Sequence, residues 1–95
     1  MGQIPLDVPS IGCDYYVSNG HKWLSSPKGS AFLWVAKAEQ PRIFPTTISQ
    51  EGQGSSRYVR DFSYEGTDAP TAWLSMAAAL DFRRLVPGGD AAIFA

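Results

Sequence analysis

Lys22 is the residue of this chain best placed to do chemistry. It follows the apolar run Tyr15-Tyr16-Val17 and lies in the string Ser18-Asn19-Gly20-His21-Lys22-Trp23-Leu24, with Ser26-Pro27-Lys28-Gly29 behind it. A primary amine held beside a carbonyl compound can add to it, lose water to give an imine, and later carry a proton. Asn19, Gly20 and His21 beside it are small or hydrogen-bonding residues. A second string, Gly66-Thr67-Asp68-Ala69-Pro70, stands at the start of a helical pattern. The same residues have plain structural uses. Asn19-Gly20 between two apolar-aromatic runs is a type I′ hairpin signal that would leave Lys22 as a solvated strand residue, and Thr67 or Asp68 could simply cap a helix.

The elements that must position these residues can be read from pattern. Residues 2–12 carry Pro5, Pro9 and Ser10 among isolated apolar residues and read as connecting chain. Residues 13–18, β-branched and aromatic between Gly12 and Asn19-Gly20, read as a short strand. Ala31-Phe32-Leu33-Trp34-Val35 is apolar without alternation, the pattern of a strand buried on both faces. Two strands would thus flank the lysine. Residues 36–54, with Pro41, Pro45, Gly52 and Gly54, form a long segment without periodicity, continued by residues 55–57. Residues 58–65 alternate enough to predict a third strand.

Residues 70–85 are predicted as a helix, with Pro70 in its first turn and Pro87-Gly88-Gly89 ending it. Trp73, Met76, Ala77 and Leu80 share one face and Leu74, Ala78, Phe82 and Leu85 an adjoining one, which predicts burial over a broad side. Arg83-Arg84 suit the helix C-terminus as a solvated end. Residues 90–95 begin a further element.

Composition narrows the function classes. Ninety-five residues make one small domain at most. Eight basic against nine acidic residues, with no Lys/Arg run longer than Arg83-Arg84, leave no electrostatic footprint for nucleic acid. The single cysteine, Cys13, makes no internal disulfide and reads as a small packed residue. No apolar run is long enough to span a membrane and the start carries no leader pattern, so the expectation is a soluble cytoplasmic protein.

The lysine string, followed by Pro27-Lys28-Gly29-Ser30-Ala31-Phe32-Leu33, resembles the cofactor-lysine segment of class V aminotransferase-like enzymes, in the manner of the isopenicillin N epimerase-like branch. Gly66-Thr67, Pro70 and the pair Trp73-Leu74 supply a second resemblance in the right order. The resemblance implies an α/β fold, with residues 1–95 a partial large cofactor-binding domain of a fold-type I pyridoxal-phosphate enzyme: short strands around the lysine plus one buried helix. It implies that Lys22 forms the Schiff base with pyridoxal 5′-phosphate and that Asn19 and His21 lie near the cofactor phosphate. Gly66 and Thr67 would meet the phosphate of the cofactor held by the other subunit, which implies a homodimer in the full-length form. The substrate class is an amino acid or amine; epimerisation, transamination and β-lyase chemistry stay open. The family's cofactor aspartate and ring-stacking histidine would lie upstream of Met1, and its substrate-carboxylate arginine downstream; Asp7 and Asp14 do not match the first motif. Cys13 precedes Lys22, whereas the sulfur-accepting cysteine of some relatives follows the lysine in a C-terminal loop. Asp68-Ala69 stands where relatives often carry Arg-Asp, and an acid beside a phosphate is unfavourable. The competing readings are a truncated non-catalytic remnant of such an enzyme and a small hairpin-plus-helix binding module.

Overall fold

The computed structural model describes residues 2–50 and 52–95. They form α1 (Val8–Ile11), β1 (Tyr15–Asn19), β2 (Ala31–Val35), α2 (Arg57–Ser63), α3 (Thr71–Leu85) and α4 (Gly89–Phe94). The chain divides into two compact units, one of residues 2–34 with 70–95 and one of residues 35–69. This is the small α/β arrangement expected of the sequence.

In the first unit, residues 2–12 are more than connecting chain. Pro9 is tolerated in a first helical turn, where its missing N–H is not needed, and Gly12 closes α1 in the left-handed region (φ 74°) with its N–H on the Pro9 carbonyl. β1 and β2 form a two-stranded sheet. The Gly20 N–H donates to the Ser30 carbonyl at 2.9 Å, which joins the end of β1 to the start of β2 and makes the pair antiparallel. Tyr16 and Phe32 stack across it with ring centroids 6.2 Å apart.

The tight hairpin does not form. β1 runs through Asn19, and residues 20–30 make an irregular loop in which His21–Leu24 have no strand partner. The expected β2, buried on both faces, is also corrected: its residues alternate, with Phe32 and Trp34 half-buried and Ala31 and Leu33 exposed. A two-stranded sheet offers one coverable face, so period-2 burial follows.

α3 confirms the predicted helix but not its predicted faces. Pro70 precedes it as N-cap and neither Thr67 nor Asp68 caps it; the Asp68 carboxylate instead accepts from the Ala69 N–H at 2.7 Å. The inward stripe is Ala72, Met76, Ala79 and Arg83, spaced i, i+4, i+7 and i+11. Trp73, Leu74, Phe82 and Leu85 are more than half exposed. Small side chains win the inward face because the lysine loop lies directly on it. The Ser26 hydroxyl donates to the Ala72 carbonyl at 3.3 Å, and a Cβ at Gly20 would stand 2.8 Å from both the Met76 methyl and the Ser30 hydroxyl. Arg83 is buried rather than solvated, whereas Arg84 is exposed and pairs with Asp81.

In the second unit the predicted strand over residues 58–65 is helix α2. Ser56 caps it, its hydroxyl accepting from the Val59 N–H at 3.3 Å. Two i,i+4 pairs then decide in favour of the helical period: the Arg57–Asp61 ion pair, and Tyr58 against Phe62 with centroids 5.0 Å apart. Arg57 also donates to the carbonyls of Gln40 at 2.6 Å and Ile43 at 3.0 Å and lies 4.2 Å over the Phe44 ring, tying the turns of residues 36–44 to α2. The long segment predicted without regular structure has none among its described residues; residue 51 lies outside them.

Two outcomes follow from these contacts. Gly20→Ala should destabilise the first unit by about 1–2 kcal/mol through overpacking, and Ser30→Ala by about 1 kcal/mol, since the Ser30 hydroxyl donates to the Pro27 carbonyl at 2.8 Å. The double variant should lose less than the sum in urea unfolding, because Ser30→Ala removes one of the atoms the new Cβ meets; strict additivity would refute the contact. Arg57→Ala should open the second unit by about 1–2 kcal/mol, read as roughly tenfold faster proteolysis within residues 41–56.

Candidate functional site

β1 ends at Asn19, and the chain then turns back on itself before starting β2. The turn is closed three times: the Gly20 N–H reaches the Ser30 carbonyl at 2.9 Å, the Ser26 N–H the Gly20 carbonyl at 3.1 Å, and the Ser25 N–H the Lys22 carbonyl at 3.2 Å. Ser25 makes the last of these bonds from the left-handed region (φ 61°), an uncommon conformation for a residue with a side chain. Ser30, fully buried, is the closure point of the loop.

Lys22 is exposed and lines a pocket of about 360 Å³ together with Val17, Ser18, Asn19 and Trp23. The lining comes from one short stretch of sequence, the last residues of β1 and the turn that follows. Asn19 supplies an amide and Ser18 a hydroxyl, while Val17 and the half-exposed indole of Trp23 supply apolar wall. The lining thus offers an amine, two neutral hydrogen-bonding groups and an aromatic surface.

His21 makes its own contact within the loop. Its Nδ1 lies 3.0 Å from the Ser30 carbonyl. A carbonyl only accepts, so Nδ1 carries the proton, and that carbonyl now has two donors, His21 and the Gly20 N–H. His21 therefore staples the loop, leaving Nε2 as the ring nitrogen available to a ligand.

Gly66 and Thr67 belong to the second unit. Gly66 has φ 113°, open to glycine and strained for other residues, and Thr67 is exposed. The structure thus brings Lys22 and Asn19 together around one pocket, sets His21 beside them as a loop brace, and keeps Gly66-Thr67 in a separate unit. Sequence reasoning missed Ser18 and Trp23 as pocket walls, and Ser26, Ser30 and Arg83 as supports. The signal for the two serines was present in their placement on either side of Pro27-Lys28-Gly29. Arg83 was legible only by testing the stripe 72, 76, 79, 83 for contact rather than for hydropathy.

Comparison with known proteins places these residues in context. The family model for aminotransferase class V matches residues 1–86. An isopenicillin N epimerase of Streptomyces clavuligerus is 34% identical over 92% of this chain and 26% of its own length. The L-cysteine desulfhydrase-like protein lolT2 of Epichloe uncinata is 32% identical over 99% of this chain and 25% of its own. A probable cysteine desulfurase of Xylella fastidiosa is 37% identical over 65% of this chain and 13% of its own. The chain spans about a quarter of the length of the first two relatives. Since the match takes in the lysine loop, both strands and all of α3, the chain belongs to the class V aminotransferase family.

Proposed function

We propose that residues 1–95 are part of the large domain of a pyridoxal-phosphate-dependent enzyme acting on an amino acid or amine, with Lys22 as the residue that carries the cofactor. The observation behind this reading is that Lys22 is the amine in the lining of the pocket at the end of β1, inside the residues matched by the family model. Bound there, pyridoxal 5′-phosphate would supply an electron sink for the bond broken at the substrate α-carbon.

The residues of this chain divide the remaining work. Lys22 holds the cofactor and moves the proton at the α-carbon, because its Nζ is the mobile base of the lining. Asn19 and Ser18 offer neutral donors to cofactor oxygens without adding charge. Trp23 and Val17 supply the apolar part of the wall. His21 contributes mainly through the Ser30 carbonyl; contact between its Nε2 and a phosphate oxygen requires the doubly protonated ring, since Nδ1–H is already engaged. Gly66 and Thr67 meet the phosphate of the cofactor in the partner subunit of a homodimer. With the Asp68 carboxylate accepting from the Ala69 N–H, part of its negative field is satisfied locally, which moderates its repulsion of that phosphate. Epimerisation, transamination and β-lyase outcomes share these residue roles and differ in where the proton or the β-substituent goes.

The test is covalent mapping. Incubation with pyridoxal phosphate followed by borohydride should fix the cofactor on Lys22 about tenfold or more above Lys28 and Lys37, and Lys22→Ala should abolish the preferred adduct. Equal labelling of the three lysines would mean ordinary surface amines and would sink the assignment.

A further inference from the structure

Arg83 is the buried charged side chain of the described residues, only 5% exposed, and it sits in the last turn of α3. An arginine there ordinarily leans toward its own helix's free carbonyls and water. This one spends its donors elsewhere. Nη1 donates to the Trp23 carbonyl, Nη2 to the Gly2 carbonyl at 3.2 Å, and Nε and Nη2 together grip one carboxylate oxygen of Asp90 on α4 at 3.1 and 2.8 Å. Burying a guanidinium is tolerable only with such a set of acceptors.

Trp23 is the residue after Lys22, so its carbonyl lies one residue from the amine-bearing Cα. On the near side the lysine turn is held by Gly20 and His21 against Ser30; on the far side it is held by Arg83. Gly2 adds steric support, since a Cβ there would fall 2.8 Å from the Trp23 carbonyl oxygen. A lysine could not replace this anchor, because an ammonium is a point donor whereas the planar fork reaches three acceptors in fixed directions.

We propose that Arg83 is the positioning residue for Lys22: it fixes the far end of the lysine's turn through the Trp23 carbonyl, and Asp90 orients it. The proposal rests on the reading of Lys22 as the cofactor lysine, but its backbone part can be measured without cofactor. A small displacement of a reacting group costs rate steeply, so loosening this turn should act on Lys22 selectively.

The experiment compares wild type, Arg83→Lys and Arg83→Met by amide hydrogen exchange and by pyridoxal phosphate–borohydride labelling. In both variants exchange over residues 22–25 should rise about tenfold while the α3 amides of residues 76–80 stay protected, and Lys22 labelling should fall to the level of Lys28. If charge alone mattered, Arg83→Lys would behave as wild type, and that result overturns the proposal. So does exchange that rises equally along α3, which marks Arg83 as a support of the whole unit. If wild type labels no lysine preferentially yet the turn loosens in both variants, the tether stands and the cofactor reading fails. Where Arg83→Met does not fold, Asp90→Ala removes the acceptor of Nε and Nη2 while keeping the Trp23 bond, and should give the same changes at smaller amplitude; no change at residues 22–25 in that variant and in Arg83→Lys overturns the proposal.

Discussion

Residues 20–30 carry the candidate lysine without the help of a helix or a strand, so every backbone group they bury must find a partner outside a regular ladder. This constraint shapes the first unit. Part of the demand is met within the loop, through Gly20, Ser26 and Ser30, and part by α3, which meets the Ser26 hydroxyl at Ala72 and the Trp23 carbonyl through Arg83. Those two helical positions are eleven residues apart, about 16 Å along the axis at 1.5 Å per residue. The loop is therefore carried along most of the helix, and Lys22, one residue before the Trp23 support, is left exposed.

A helix that carries a loop this closely cannot present large side chains to it. Ala72 and Ala79 keep the approach short, Met76 fills the irregular space beside Gly20, and Arg83 supplies donors where the loop offers carbonyls. The large apolar residues are displaced outward: Trp73, Leu74, Phe82 and Leu85 all face solvent, Leu85 at 80% exposure. The usual amphipathic order of a surface helix is thus reversed.

These facts explain which features could be read from sequence and which could not. The existence of α3 was legible from Pro70, the apolar period and Pro87-Gly88-Gly89, all local signals. Its buried face was not, because hydropathy ranks Leu and Trp above Ala and Arg, whereas contact distance and unpaired carbonyls ranked them the other way. The two strands were legible from β-branched and aromatic composition, but their one-sided burial depended on the number of strands in the sheet. α2 was misread as a strand because Tyr58, Phe62 and Tyr64 also fit an alternating pattern; the Ser56 cap and the Arg57–Asp61 spacing were the deciding signals. Asn19-Gly20 suggested a two-residue turn, yet Gly20 is needed there for the close approach of Met76 and Ser30 rather than for a positive φ. At the site, residue types drew attention to Lys22 and Asn19, while the role of His21 as a brace depended on a carbonyl nine residues away.

The pocket around Lys22 draws all of its walls from residues 17–23, so its shape depends on how the loop closes and on the supports from α3. Gly66 and Thr67 belong to a unit with its own bracing, built around Arg57 and α2. Each unit is thus braced from within: a lysine turn held against α3 in one, and Arg57 joining α2 to the turns of residues 40–44 in the other.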